Sequence, residues 1–251
     1  WDAAIPNASV TYSSFTRLGL DGQIDPSSLA WRVFLAWHYE SQSIYFAIER
    51  VDDFYIPASE DVFDRERVEL SLDADHSGGR HAFFDSDMSL AQQQRLWDAE
   101  AQTYHLKPVP FAEQGSRVDM DGLATPWVTQ EPWTEVGGFH DGREPNYSVI
   151  EARLTPWDDL NWQGPDVSIQ SSLRPDAIIG FQILVYDNDL IGVPTGAVYS
   201  LHFGEAWEQG NADSFVDAQL IPCASADCSQ GNVTSVGVSS WARVKASLTV
   251  D

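Results

Sequence analysis

Apolar and polar residues alternate with a period of two along several short stretches, as they do in strands that bury one face. Residues 29–37 (LAWRVFLAW) and 44–51 (IYFAIERV) predict adjacent strands, joined by the hairpin-like HYESQS. Residues 65–81 (RERVELSLDADHSGGRH) change character halfway. Val68, Leu70 and Leu72 are expected to face a core, with Glu69, Ser71 and Asp73 on the other, open face of a half-buried strand. Residues 147–154 (YSVIEARL) alternate as well, and 178–187 (IIGFQILVYD) are so continuously apolar that they predict a central strand. AVYSLHF (197–203) and FVDAQLI (215–221) complete the set.

Helical signals are few. Ser89 is placed to cap a short helix through QQQRLW, and Thr155, Pro156 and Trp157 with Asp158 and Asp159 are placed to start one turn. SWARVKASL near the C-terminus reads as a strand or a short helix. Many short strands separated by Gly, Pro, Asp and Asn turns predict an all-β fold, an antiparallel β-sandwich with few short helices. Residues 1–221 are expected to form this domain. Residues 222–251 are expected to be a C-terminal appendage holding a Cys223–Cys228 loop.

The charge balance narrows the partners. Lys+Arg is 14 against Asp+Glu 38 in 251 residues, a net charge of −24. Nucleic acids and anionic membrane surfaces need basic patches, so neither is an expected partner. Lysine occurs only as Lys107 and Lys245. The acidity fits solubility in a salty medium or cation binding. Cys223 and Cys228 in CASADC lack CxxC spacing, and a disulfide-closed loop in an exported protein suits them better than zinc. No apolar run reaches the length of a membrane span. The opening WDAAIPNASV reads like a processed product, and sequons occur at Asn7, Asn146 and Asn232. The expected location is secreted, extracellular or at the cell surface.

Catalytic motifs are absent: the chain has no GxSxG, HExxH, P-loop or GxGxxG. HSGG has the wrong flanks for a serine-protease loop, and His76 and His81 share a loop without metal-site spacing. Among 38 acids, nearby carboxylate pairs arise by chance, so they do not indicate a glycosidase. Calcium is the better candidate. Asp73, Asp75 and Ser77, followed by Gly78, match the first half of an EF-hand-type loop, but its twelfth position is Phe84 and not Glu. A calcium-clipped hairpin and a plain acidic turn both remain open. Asp52 with Asp53, and Asp187 with Asp189, make two further acidic strand ends, and at least one bound calcium is expected. Aromatic rings stack on the C–H faces of sugars. Of the ten tryptophans, Trp31 and Trp37 sit on strands, whereas Trp207 lies in the polar loop GEAWEQGNADS and Phe63 in EDVFDRER. Each of these two serves either a ligand or the sheet edge.

The ordered set WRVFLAW, SIYFAIERVDD, DRERVELSLDAD, AQTYHL, YSVIEARLTPWDDL, IIGFQILVYDND and SFVDAQL resembles the family 9 carbohydrate-binding modules and their wider superfamily, over residues 25–221. The resemblance implies a β-sandwich that binds sugar ends between two facing rings and carries structural calcium. It maps the first ring to Phe63, where Trp is usual, and the second to Trp207. The sugar-bonding glutamate falls on Glu69 and the amide of the next strand on Gln102. Tyr104 replaces the usual arginine, and Asn211 is a further polar partner. Residues 85–101 and 105–146 are longer than a minimal module needs. Haem-binding members of the superfamily use Met or Lys ligands, but Met88, Met120 and Lys107 lack a fitting context. The expectation is a non-catalytic, calcium-stabilised carbohydrate-binding protein. The alternatives are a self-assembling subunit of a surface layer or filament, hence a homo-oligomer or polymer, and lastly a glycoside-active enzyme.

Overall fold

Branched and aromatic side chains on alternate positions suit a pleated surface, and here that surface curls around one core. The computed structural model describes residues 10–11, 15–17, 25, 27–54, 67–82, 88–108, 116–120, 127–188, 197–201, 210–221 and 242–246. The described strands are β1 (Val10–Thr11), β2 (Thr16–Arg17), β3 (Leu29–His38), β4 (Ser43–Asp52), β5 (Val68–Asp73), β6 (Gln102–Pro108), β7 (Ser116–Met120), β8 (Thr134–His140), β9 (Asn146–Leu154), β10 (Trp157–Asp159), β11 (Ile169–Gln170), β12 (Ile178–Asp187), β13 (Ala197–Ser200), β14 (Val216–Ile221) and β15 (Ala242–Ala246). One helix, α1 (Leu90–Leu96), accompanies them among the described residues.

Strand pairing follows one antiparallel path, β7-β6-β5-β12-β14-β15-β3-β4-β9-β8, with β1 on β3, β13 on β12 and β2 on β13. The path folds into two layers. Val68, Leu70, Leu72, Tyr104, Leu106, Phe181, Ile183 and Val185 come from one layer, and Val33, Leu35, Trp37, Ile44, Phe46, Ile48, Ile150 and Leu154 from the other, and all share one buried cluster. Each large aliphatic side chain withdrawn from water there contributes about 1.5–3 kcal/mol. This is the expected antiparallel sandwich. A smaller core holds Trp157, Val128 and Leu160, with Trp127 and Trp133 packed against it. Its three indoles meet edge to face at 5.2–5.9 Å between ring centroids.

Ser89 caps α1 in a full capping box: its hydroxyl accepts from the Gln92 amide, and the Gln92 side chain accepts from the Ser89 amide. Two expectations change. Residues 157–159 are a strand and not a helical turn, because β10 pairs with β11. Strand pairing also continues beyond Ile221. β15 pairs with β14 on one side and β3 on the other, so residues 242–246 belong to the sheet and not to an appendage. Cys223 and Cys228 lie outside the described residues.

Candidate functional site

β5 sets the site by its parity. Val68, Leu70 and Leu72 enter the core. Glu69, Ser71 and Asp73 take the opposite face, yet all six residues of the strand are buried, so the strand is not half-buried as its alternation suggests. The register builds this outer face in rows. Glu69 pairs with His105 of β6 and Leu184 of β12, and Ser71 pairs with Thr103 and Gln182. His105 in turn faces Asp119 of β7, and Lys107 faces Arg117. Continuing the β5–β6 register by one residue sets Arg67 alongside Lys107, and Arg67 accepts the Tyr186 amide through its carbonyl.

The rows differ in chemistry. The Arg67 guanidinium pairs with the Glu69 carboxylate at 2.5 Å, with side chains 10% and 9% exposed. It also lies 4.2 Å from the centroid of the Tyr186 ring, a cation–π contact. His105 Nε2 stands 3.5 Å from the same carboxylate. One pleat on, the Ser71 and Thr103 hydroxyls bond at 2.8 Å, and Gln182 donates to Ser200 at 3.3 Å. Burial works against the Arg67 charge, but Glu69 and Tyr186 outweigh it and hold its pKa above the usual value. Burial, then the Glu69 charge, pushes the Tyr186 phenol up, so it stays neutral. The face therefore grades from cationic, through a carboxylate–imidazole pair, to neutral hydroxyls and an amide.

Other expected site residues fall elsewhere. Gln102 pairs with Leu72 and so takes the core side, opposite to Glu69. It is wholly buried. Its amide accepts from Trp157 N at 3.1 Å and donates to the Trp157 carbonyl at 3.0 Å, stitching β6 to β10. Tyr104 is a core residue with no exposure. Burial, with the Asp98 charge, raises its pKa. Asn211 caps a short 3-10 turn by accepting from Asp213 N at 3.1 Å. Phe63 and Trp207 lie outside the described residues. Of the four sugar-site expectations that are described, only Glu69 is on the polar face. His105 and Arg67 are the neighbours that sequence reading missed. The parity of Tyr104 and Leu106 would have put His105 on the face of Glu69.

The acidic strand ends close turns. Asp73 accepts from Ser77 N at 3.2 Å and from Gly78 N at 2.8 Å, one bond to each oxygen. Asp75 accepts from Ser77 N at 3.1 Å. Burial pushes the Asp73 carboxyl up to about 6 against the Gly78 amide, and Asp75 beside it adds to the rise. This turn then docks onto residues 210–213: Gly79 N donates to Asp213 at 2.8 Å, and Arg80 bridges to Asn211. Asp52 accepts from Phe54 N at 3.1 Å and pairs with Arg50 at 3.2 Å, while Asp53 takes the Ser28 hydroxyl. Asp187 accepts from the Tyr199 hydroxyl at 3.5 Å. Asp189 lies outside the described residues. Calcium needs six to eight oxygens aimed at one point. Asp73 and Asp52 are turned to their own amides and to a guanidinium, and no three His, Cys, Asp or Glu converge on a metal position among the described residues. The described donor sets do not fit the ion.

No family model and no curated protein matches this sequence. Solved structures do share its fold. A family 9 carbohydrate-binding module from Caldicellulosiruptor kristjanssonii in complex with cellotriose superposes with a TM-score of 0.52 at 13% identity, covering 85% of this chain and 84% of that one. A family 9 module of the same organism in complex with glucose gives 0.50 at 12% identity, covering 82% and 84%. The fold is that of the family 9 modules.

Proposed function

We propose that this chain is a non-catalytic carbohydrate-binding module whose ligand meets the outer face of β6, β5 and β12. The observation that carries the reading is the graded row structure of that face on a sandwich shared with modules solved in complex with sugars. A carboxylate accepts two hydroxyl bonds well, and hydroxyl and amide groups supply both donors and acceptors. Glu69, Ser71, Thr103 and Gln182 are of these kinds, and Arg67 and His105 hold the carboxylate in place. Tyr186 adds a ring edge, and the resemblance supplies Phe63 and Trp207 as stacking rings.

The absence of catalysis is part of the proposal. Glycosidases set two carboxyl groups about 5–10 Å apart. The next described carboxylate on the same strand face, Asp73, is four residues from Glu69, about 13 Å along an extended chain.

Calorimetry against a panel of mono- and oligosaccharides tests the reading. At least one sugar is expected to bind, and Glu69→Gln is expected to weaken it about tenfold or more, a loss of about 1.4 kcal/mol or more. Circular dichroism should show the variant folded. If no sugar binds, or if a folded Glu69→Gln binds as tightly as the parent, the proposal fails.

A further inference from the structure

We infer that the β10–β11 hairpin is a docking surface for a basic segment of a partner protein, one that carries aliphatic or aromatic anchors among its lysines and arginines. Trp162, Val167 and Ile169 are 44%, 53% and 58% exposed. Three large apolar side chains therefore meet water within eight residues of chain. Lone exposed apolar residues are ordinary, but a group of them marks an interaction site. The hairpin does not need them for its own packing. Trp157 and Leu160 are each 2% exposed and share a core with Val128, Trp127 and Trp133. The loop between the strands also closes without them. Asn161 N donates to the Ser168 hydroxyl at 2.8 Å, which donates to the Gly164 carbonyl at 2.8 Å. The Trp127 indole donates to the Asn161 carbonyl at 3.2 Å, and Leu160 N donates to the Ala99 carbonyl at 2.8 Å. The apolar groups are displayed on a fixed backbone, which lowers the entropy cost of binding.

Charge selects the occupant. Residues 155–173 hold Asp158, Asp159 and Asp166 and no lysine or arginine. Asp159 pairs with Ile169 across the hairpin, and Asp166 precedes Val167 in a 3-10 turn (Pro165–Val167). Glu100 and Asp75 join them from two other segments. Burial, then the Asp159 and Asp75 charges, raises the Glu100 carboxyl, and burial and the Asp75 charge raise Asp158. The fold so gathers like charges from three segments, and each raises the cost of its neighbours. Of the cations in these segments, His76 pairs with Asp217 and Arg80 bonds the Ala82 carbonyl. Arg95, at the end of α1, and Arg174, after β11, are exposed. A partner that fits brings ammonium or guanidinium groups to the acids and apolar groups to Trp162, Val167 and Ile169. The net charge of −24 draws cations toward the whole chain, so apolar contact is what fixes a partner at the hairpin. The inference does not rest on the carbohydrate reading, because β10 and β11 form a two-stranded sheet of their own.

The test uses the whole chain, isotope-labelled for amide NMR, and three short peptides. One is built of Lys and Leu, one of Glu and Leu with equal apolar content, and one of Lys and Ser with equal charge. The Lys/Leu peptide is expected to shift residues 158–170 and to bind about tenfold tighter than Lys/Ser. Glu/Leu should not bind. Trp162→Ser and Ile169→Ser leave the charge unchanged, and each should weaken Lys/Leu about fivefold or more. Trp162→Ser should leave any sugar affinity unchanged. Lys/Leu and Lys/Ser binding alike, shifts centred elsewhere, or a folded Trp162→Ser that binds as the parent does would overturn the inference. So would sugars that shift residues 162–169 while the peptides do not, or self-association in sedimentation that Trp162→Ser abolishes. Both side chains are about half in water, so both variants are expected to fold; should one fail, the other decides.

Discussion

Two four-residue segments, Glu49-Arg50-Val51-Asp52 and Glu66-Arg67-Val68-Glu69, are nearly the same in sequence and do opposite things. Each sets an arginine two residues from an acid on one side of a strand, and each forms the ion pair. The valine between them shows the difference. Val51 is 45% exposed, whereas Val68 is wholly buried. In β4, Ile44, Phe46 and Ile48 face the core, so Arg50 and Asp52 point between the sheets and each side chain is 1% exposed. In β5 the valine takes the core position, so Arg67 and Glu69 point outward. Tyr186 lies between the two pairs. Its carbonyl accepts from Arg50 at 3.3 Å, and its ring lies beneath Arg67. The same local chemistry thus lies between the sheets on one parity and on the outer polar face, with side chains about one-tenth exposed, on the other.

Removing each arginine separates these roles by size. Arg50→Met leaves the Asp52 carboxylate charged between the sheets and is expected to cost about 3–5 kcal/mol by urea denaturation at neutral pH. Arg67→Met leaves Glu69 with His105 beside it and a small opening to water, and is expected to cost about 1–2 kcal/mol. Replacing both partners of the inner pair, as in Arg50→Met with Asp52→Leu, should recover most of the larger loss, because no lone buried charge remains. Equal losses at the two arginines would break the distinction between the inner and the outer pair.

How far the sequence foretold this depends on the range of the interaction. β12 runs over the ten residues its apolar continuity picks out, and β3, β4 and β9 depart from their expected ends by about one residue, because alternation is local. β8 escaped notice because Gly137 and Gly138 interrupt its apolar face, although its partner β9 holds it in the sheet. At β10, Pro156 and two aspartates favour a helix start, and pairing with β11 overrides that preference. The site was legible only as far as one strand. Glu69 could be named from β5 alone. Its companion depends on which residue of β6 lies opposite, and register between strands more than thirty residues apart is not written in either of them. The resemblance maps the amide of the next strand to Gln102, whereas the register sets His105 opposite Glu69 and Gln102 opposite Leu72. The acidic turn was ambiguous because hydrogen bonds to backbone amides and a calcium loop ask for the same residues.

The comparison extends to the strand ends, where Asp52 and Asp73 each turn back on their own chain. The Asp73 turn is the more demanding. Gly78 has a φ of +70°, and a Cβ there would lie 2.2 Å from Asp213 Oδ1, while Gly79, at +88°, has open space around it. Both alanine substitutions carry the left-handed backbone cost of about 1 kcal/mol. Gly78→Ala alone adds the clash, and a total of about 2 kcal/mol or more is expected in thermal or urea unfolding. The extra loss at Gly78 should vanish in an Asp213→Ala background. If Gly78→Ala and Gly79→Ala are equally mild, the turn is not docked against Asp213.

The smallest effect is a pH dependence, and its sign runs against the usual behaviour of a carboxylate. Asp73 titrates near 6 in the folded chain against an ordinary value of 3.8, chiefly through burial, so the folded state binds its proton first. Between those two values the fold takes up a proton that the unfolded chain does not hold. Stability therefore rises as pH falls from about 6 towards 3.8, and the contribution is lost as pH rises through 6. Glu100 and Asp158, both raised first by burial, push the same way, so the parent profile is a sum. Asp73→Asn isolates one member of it. The amide oxygen still accepts from the turn, but the side chain no longer titrates. Unfolding measured at pH 7 and pH 5 should show the parent gaining stability at the lower pH by more than Asp73→Asn gains. Parallel profiles for the two proteins would mean that Asp73 is as easily ionised folded as unfolded. The turn would then be held by its amides alone, without the proton that its burial beside Asp75 favours.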